Sequence, residues 1–385
     1  MCSKSTSEKA AKHLRFHLAD GVGPITFTRM MDYFGSVDRM LGAPAAALRE
    51  IEGVGTKTAE AIARAHDSDA VHEELALADK HGVQVLCRED EGYPLGLRHI
   101  ADPPICLYVK GSLDRADAVS LAVVGSRRGS HYGLEQARRF GQLLGQAGLT
   151  VVSGLARGID SAAHRGALDV DGRTIAVLGN GLSTIYPPEH AELAEQIAAS
   201  GAVVSELPMA TAPEAGHFPR RNRIIAGMGL GVLVIEGAKN SGALITARLA
   251  TEYNREVFAL PGRVDLPNSL GVNALIRDGQ AKLVVGLEDI LDELGEAGEV
   301  LAGKEVRDAT EAPLRPPPPN LSDTEKKVLA VLTRDEAIGI DAICELARLD
   351  PAQTASALTM LQLKGAVKQL PGSLFVSCVD GTVDV

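Results

Sequence analysis

The stretch from 217 to 225, HFPRRNRII, combines positively charged, amide and aromatic side chains within nine residues. It contains one aromatic ring, one amide and three arginines: Phe218, Arg220, Arg221, Asn222 and Arg223. Guanidinium groups pair with phosphates, and an aromatic ring offers a face on which any base can stack. The alternative is a core phenylalanine followed by a solvated helix face, which the neighbouring proline and asparagine match poorly. We therefore predict contacts to both phosphates and bases here.

Small residues, hydroxyls and cations also follow three apolar runs of the chain. The candidates are Gly125, Ser126 and Arg127, then Ser153 and Gly154, then Lys239, Ser241, Gly242 and Thr246. Backbone amides and the dipole at a helix N-terminus attract an anion, and glycine lets the backbone approach it closely. None of these loops reads GxGxxG, and no acidic residue ends the second run to hold a ribose. We predict a phosphate site and no dinucleotide cofactor.

Three further polar or aromatic residues near these loops are expected to be structural. Asp160 is placed to cap a helix, Tyr186 to pack, and Glu236 to pair with an arginine of the site. The sequence has no Cys-His, Ser-His-Asp or metal-ligand spacing, so we expect neither catalytic residues nor a metal.

Apolar runs alternating with helical stretches must position these loops. The runs span 119–124, 150–153, 174–178, 202–205, 231–235, 256–260 and 282–285. Continuous rather than alternating apolar strands indicate a parallel sheet covered on both faces. We predict an α/β fold with a doubly wound, Rossmann-like core at 86–297. Its ligand site should lie outside the carboxyl ends of the strands.

The two ends of the chain read as separate helical domains. Residues 1–85 contain two glycine turns, at 21–24 and 53–57, and predict a helix-hairpin-helix or SAM-like domain whose amides could hold phosphate. A small helical domain whose glycines only pack helices fits equally well. Residues 298–320 read as an acidic, proline-rich linker. Residues 321–385, with a capping box at Ser322 and Glu325 and two strands around Pro371 and Gly372, predict a winged helix.

Charge and cysteine content limit the class of protein. The net charge is −11, yet residues 120–290 hold 16 basic and 16 acidic residues, so the core itself is balanced. Local arginine clusters can therefore dominate their surroundings. Five scattered cysteines and no long apolar segment predict a cytoplasmic protein without disulfides or membrane contact.

The ordered motifs resemble those of the DprA/Smf family of DNA-processing proteins. They read GSRRGSHYG, SGLARGID, TIAVLGNGL with YPPEH, SELP, HFPRRNRIIAG, and SGALITARLA with VFALPG, and the match covers residues 93–286. The resemblance implies a homodimer that binds and protects single-stranded DNA and helps load RecA in natural transformation. Carried over by motif, it implies a DNA pocket formed by Arg127, Ser153, Gly154, Phe218, Arg220, Arg221, Arg223, Ser241 and Gly242. Because every predicted phosphate-binding loop lies within residues 93–297, we predict that this fragment binds single-stranded DNA nearly as well as the full chain.

Two other functions remain open on the sequence. A phosphoribohydrolase of the LOG or lysine-decarboxylase-like kind has a related core, but its PGGxGTxxE carboxylate is missing after Glu236. A transcription regulator would act through the winged helix, but the segment 351–364 offers almost no positive charge for DNA phosphates.

Overall fold

The computed structural model describes residues 6–65, 69–302, 306, 318–333, 337–370 and 373–379. The chain divides into two compact units, one of residues 1–129 and 136–306, the other of residues 130–135 and 307–385. In the described part of the chain, no helix is long and apolar enough to cross a bilayer.

The first unit begins with short helices. They are α1 Glu8–His17, α2 Pro24–Phe34, α3 Val37–Leu41, α4 Ala45–Leu48, α5 Thr56–Ala65 and α6 Ala70–Lys80. The side chain of Ser7 caps α1 by accepting from the Ala10 amide, and Gly35 ends α2 in the left-handed conformation. The predicted N-terminal helical part is therefore present.

The two glycine turns of this helical part contact each other's helices. Gly21 and Gly53 have φ values of +83° and +91°, which side chains rarely adopt. A Cβ on Gly21 would lie 2.6 Å from Oγ1 of Thr58 in α5, and one on Gly53 would lie 3.7 Å from Oγ1 of Thr26 in α2. The two threonines occupy the same position relative to their own glycines, so the two hairpins pack reciprocally.

A nine-stranded sheet forms the centre of the first unit. Its strands are β1 Val83–Cys87, β2 Cys106–Gly111, β3 Ser120–Val124, β4 Thr150–Ser153, β5 Thr174–Leu178, β6 Ala202–Ser205, β7 Gly231–Val234, β8 Glu256–Ala259 and β9 Lys282–Leu283. Their order is β1-β2-β6-β5-β4-β3-β7-β8-β9. The strands from β6 to β9 in this order run parallel, which confirms the predicted Rossmann-like sheet. The antiparallel strands β1 and β2 are an addition at one edge.

Nine further helices are described in the first unit. They are α7 Leu95–Arg98, α8 His131–Ala147, α9 Ile159–Leu168, α10 Ala191–Ser200, α11 His217–Met228, α12 Gly242–Glu252, α13 Leu270–Arg277, α14 Glu288–Leu291 and α15 Glu296–Ala302. Among them, α9 to α13 pack on strands of the sheet. Glycines bring α8 and α9 unusually close. A Cβ on Gly141 of α8 would lie 2.3 Å from the carbonyl oxygen of Ala163, and one on Gly166 of α9 would lie 2.1 Å from that of Arg138. The two backbones therefore touch without side chains between them.

The N-terminal helices share a hydrophobic cluster with the first strands of the sheet. Leu14 and Phe16 of α1 belong to the same buried cluster as Val85 of β1 and Tyr108 of β2. The boundary expected between residues 85 and 86 falls inside β1. The helical part and the sheet are therefore joined by a common core as well as by the chain.

The second unit is a winged helix, as predicted. It contains α16 Asp323–Val331, β10 Ile338–Gly339, α17 Ile340–Ala347, α18 Pro351–Leu363, β11 Val367–Leu370 and β12 Leu374–Ser377. The capping box is present, with Ser322 and Glu325 bonding each other's amides. The short strand β10, which pairs with β12, was not predicted. The turn at Pro371 and Gly372 lies outside the described residues, as does most of the expected linker.

Candidate nucleic-acid interface

The loops that follow β3, β4, β5, β6 and β7 begin at one edge of the sheet, because these strands are parallel. Every residue predicted for the site lies in these loops, at the end of a strand, or in the first two turns of α11 and α12. The structure therefore brings the predicted residues together at one edge of the sheet. Several of these side chains, however, are buried inside the protein instead of facing solvent as predicted.

The loops after β3 and β4 are joined through their backbones. Gly158 has a φ of +80°, and a Cβ on it would lie 2.3 Å from the carbonyl oxygen of Ser126. The amide of Ile159 donates to that same oxygen at 3.2 Å. A Cβ on Gly125 would lie 2.6 Å from the Ile159 side chain. These glycines allow contact between the two loops. Within the loop after β3, the Ser126 hydroxyl accepts a hydrogen bond from the Arg128 amide at 3.1 Å.

Asp160 does not cap α9, as had been expected. Gly158 is the N-cap residue, and Asp160 lies buried in the first turn. Its carboxylate accepts from the amides of Gly154 at 3.1 Å and Ala156 at 3.4 Å. Burial raises the pKa of this carboxyl group, and the nearby Arg221 guanidinium partly offsets the rise. The protein's own carboxylate therefore occupies the amides that had been predicted to hold an external anion.

Ser153, Gly154 and Thr246 also face inward, contrary to the prediction that they contact DNA. The Ser153 hydroxyl is fully buried and donates to the Val123 carbonyl oxygen at 2.6 Å. The Thr246 hydroxyl is buried in α12 and donates to the Gly242 carbonyl oxygen at 3.3 Å. Buried hydroxyls need such partners, and a backbone carbonyl at a strand or helix end supplies one.

Arg221 is buried as well, with only 6% of its surface exposed. Its Nη1 donates to the carbonyl oxygens of Gly154, at 2.7 Å, and Val177. Burial lowers the pKa of this guanidinium to about 10, although Asp160 acts in the opposite direction. Arg221 therefore donates hydrogen bonds to carbonyl oxygens at the ends of β4 and β5. It does not face solvent as had been predicted for a phosphate contact.

Arg223 is also 6% exposed and lies between two carboxylates. Its Nε is 3.1 Å from Oδ2 of Asp102, and its Nη2 pairs with Oε1 of Glu206. The Tyr253 hydroxyl donates to Asp102 at 2.9 Å. A buried guanidinium needs such partners, and Arg223 therefore points into the protein rather than toward solvent as had been predicted for a phosphate contact.

The remaining cations of the predicted site face solvent. Arg127, Arg220 and Lys239 are exposed, and so is Gly242 at the start of α12. Asn222 is half-buried and donates to the Gly242 carbonyl oxygen at 3.2 Å, which joins α11 to α12. The Ser241 hydroxyl is buried and has no hydrogen-bond partner among the described residues.

Phe218 lies among these groups in an aromatic cluster. The Arg127 guanidinium carbon lies over its ring, 5.2 Å from the centroid. The ring of Tyr186 is 5.6 Å from that of Phe218, with 41° between their planes. A Cβ on Gly179 would lie 2.9 Å from Phe218, so the glycine makes room for the ring.

Two exposed groups at this edge were not predicted. Tyr186 had been expected only to pack, yet 37% of its surface is exposed. Arg157, from the loop after β4, forms an ion pair with Glu189, from the segment after β5. Their positions in the quoted motifs SGLARGID and YPPEH were the available signal, since these motifs lie in the segments that follow β4 and β5. Among the described residues, no group of three His, Cys, Asp or Glu could hold a metal ion.

Comparison with known proteins identifies relatives of this chain along most of its length. The family described as DNA recombination-mediator protein A matches residues 84–295, and the DprA winged-helix family matches residues 312–373. Protein Smf of Synechocystis is 36% identical over 95% of this chain and 98% of its own length.

Two solved structures are also similar. DNA processing protein A from Streptococcus pneumoniae has 35% identity and a TM-score of 0.65, over 74% of this chain and 97% of its own. DNA processing protein A from Helicobacter pylori, the subject of a study of its single-stranded DNA binding mode, has 28% identity and a TM-score of 0.50. It covers 58% of this chain and 97% of its own.

Proposed function

This chain belongs to the DprA/Smf family of DNA recombination-mediator proteins, and we propose that it binds single-stranded DNA at the carboxyl edge of its sheet without catalysing a reaction. One observation carries the proposal: Phe218 lies between exposed cations at that edge, with Arg127 over its ring and Arg220 in the same helix. Cations for phosphates combined with an aromatic face for bases are typical of sites for single strands.

The predicted residues divide into two groups in this proposal. Those that would meet DNA are Gly125, Ser126, Arg127, Phe218, Arg220, Asn222, Lys239, Ser241 and Gly242. Those that would hold the loops in place are Ser153, Gly154, Arg221, Arg223 and Thr246. The second group would support binding indirectly. Its side chains bond to other groups of the protein, and these bonds would keep the DNA-contacting loops in position.

A titration of salt against affinity tests the proposal. We expect oligothymidylate to bind more tightly than a duplex of equal length, with no hydrolysis of nucleotides. Arg127→Ala and Arg220→Ala should each lower the slope of log affinity against log salt by about 0.7. The matched control is Arg165→Ala, which removes an exposed arginine from the last turn of α9. Equal slopes for all four proteins, or nucleotide hydrolysis by the parent, would contradict the proposal.

We also propose a homodimer that passes the bound strand to RecA during transformation, as the family resemblance implies. The strand β9 supports dimerisation, since it is the last strand of the sheet in the described part of the chain, and Leu283 within it and Val285 just after it are 44% and 59% exposed. Sedimentation should give a dimer that Leu283→Lys dissociates, whereas Leu95→Lys, at another exposed leucine, should not. The RecA step predicts faster RecA filament formation on the bound strand, and an unchanged rate would contradict it.

A further inference from the structure

Tyr186 presents an aromatic surface next to Phe218 that the proposed function leaves unused. We propose that Tyr186 is a second base-stacking position, so that the DNA strand continues from Phe218 toward the loop after β4. This inference rests on the proposed single-stranded DNA binding and specifies the path of the strand. It places two neighbouring bases on two rings.

The two rings are suited to this arrangement because they are close but not parallel. Their centroids are 5.6 Å apart, a separation usual for aromatic pairs, and their planes differ by 41°. Phe218 is half-buried against Gly179 and has Arg127 over its ring. Tyr186 is the more open of the two, with 37% of its surface exposed. A strand that stacks one base on Phe218 would therefore bring its neighbouring base next to the ring of Tyr186.

The charges around Tyr186 favour a base rather than a phosphate. The Arg157 guanidinium lies close to the Tyr186 hydroxyl, and its Nε donates to the Glu189 carboxylate. That hydrogen bond is the main reason why the pKa of Arg157 lies above its usual value, and the Tyr186 hydroxyl also raises it. The side chains of Arg157 and Glu189 are 54% and 48% exposed, so they form a neutral pair beside the ring. Around Phe218, by contrast, Arg127 and Arg220 carry positive charge, and neither has an ion-pair partner among the described residues.

Substitutions at both rings, combined with abasic oligonucleotides, test the inference. Tyr186→Ala should weaken binding of oligothymidylate about tenfold, while leaving the salt slope unchanged because no cation is lost. Tyr186→Phe should bind like the parent. An abasic site moved along the oligonucleotide should weaken binding by the parent at two adjacent positions. Tyr186→Ala should abolish the sensitivity at one of these positions, and Phe218→Ala at the other.

Tryptophan fluorescence gives an independent measurement, because the sequence contains no tryptophan. The fluorescence of Tyr186→Trp should be quenched when oligothymidylate binds, since a base would stack on the new ring. The control is Tyr33→Trp, at a tyrosine of α2 that is 58% exposed, and its fluorescence should not change. An unquenched Tyr186→Trp protein that still binds DNA would overturn the inference.

The remaining outcomes separate this inference from the proposed function. If Phe218→Ala weakens binding and Tyr186→Ala does not, the second stacking position is wrong and the proposed function stands. The same conclusion follows if Tyr186→Ala weakens binding and Tyr186→Leu restores it, because Tyr186 would then only support Phe218. If the parent does not prefer single strands, or neither alanine variant changes affinity, the proposed function itself fails.

Discussion

Adjacent arginines in α11 have different surroundings. Arg220 is exposed, whereas Arg221 is buried between the ends of β4 and β5. Residues one position apart on a helix point in different directions, so a run of arginines cannot have all its members on one face. The sequence shows the run, but which members are buried depends on carbonyl groups that lie far away in the chain.

Arg221→Ala should lower the free energy of unfolding by about 3–5 kcal/mol, because it removes the cation next to a buried carboxylate. Asp160 would lose that cation, and the carbonyl oxygens of Gly154 and Val177 would lose a donor. Arg220→Ala is the matched control and should change stability by less than about 0.5 kcal/mol. Urea unfolding followed by circular dichroism measures both. Equal stabilities would show that the buried guanidinium does not stabilise the fold.

The buried histidine His164 should make stability depend on pH. The Thr174 hydroxyl donates to the Val151 carbonyl oxygen, so it must accept from His164 Nδ1, which is therefore protonated. His164 Nε2 has no hydrogen-bond partner among the described residues. Burial chiefly lowers the pKa of His164 from 6.5 to about 3. Below pH 6.5, His164 therefore binds a proton in the unfolded chain but stays neutral in the folded protein until the pH approaches 3.

It follows that stability is complete above pH 6.5 and is lost as the pH falls toward 3. Between pH 7 and pH 5, His164 should account for a loss of about 2 kcal/mol in the free energy of unfolding. His164→Gln should flatten this dependence, whatever its stability at pH 7. His99→Gln, at an exposed histidine, should retain it. Parallel pH profiles for His164→Gln and the parent would refute the assignment.

At the scale of the elements, the sequence predicted the parallel strands more reliably than the loops between them. Continuous apolar runs are a local signal, and all seven predicted strands are present. The role of Asp160 was not predictable, because an acidic residue near a helix start suits both a cap and the closure of the preceding loop. Which amides its carboxylate reaches depends on how the loop folds. The antiparallel strands β1 and β2 depend on pairing between distant segments.

Gly158→Ala should disturb the backbone contact between the loops after β3 and β4. Alanine would be strained at a φ of +80°, and its Cβ would lie 2.3 Å from the Ser126 carbonyl oxygen. We expect a loss of about 2–4 kcal/mol in stability and weaker binding of oligothymidylate. Gly55→Ala is the control, since its Cβ would meet nothing within 4 Å. Thermal unfolding compares the two, and equal melting temperatures would contradict a rigid contact between the loops.

For the whole molecule, the structure changes the fragment expected to suffice for binding. A fragment of residues 93–297 lacks β1 and the N-terminal helices, and so exposes Tyr108 and the cluster around it. A fragment of residues 1–302 keeps that cluster complete. We expect the longer fragment to bind oligothymidylate like the full chain and the shorter one to unfold at a lower temperature. Equal melting temperatures and affinities for the two fragments would show that the N-terminal helices do not support the sheet.

The glycine contact between α8 and α9 sets how the candidate interface would adapt to a ligand. The two helices follow the loops after β3 and β4, and their backbones meet at Gly141 and Gly166 without a side chain that could change rotamer. The spacing of the two loops is therefore preorganised. A preorganised site loses little conformational entropy on binding. The entropic cost of association would fall on the flexible DNA strand, which would adopt the shape of the protein.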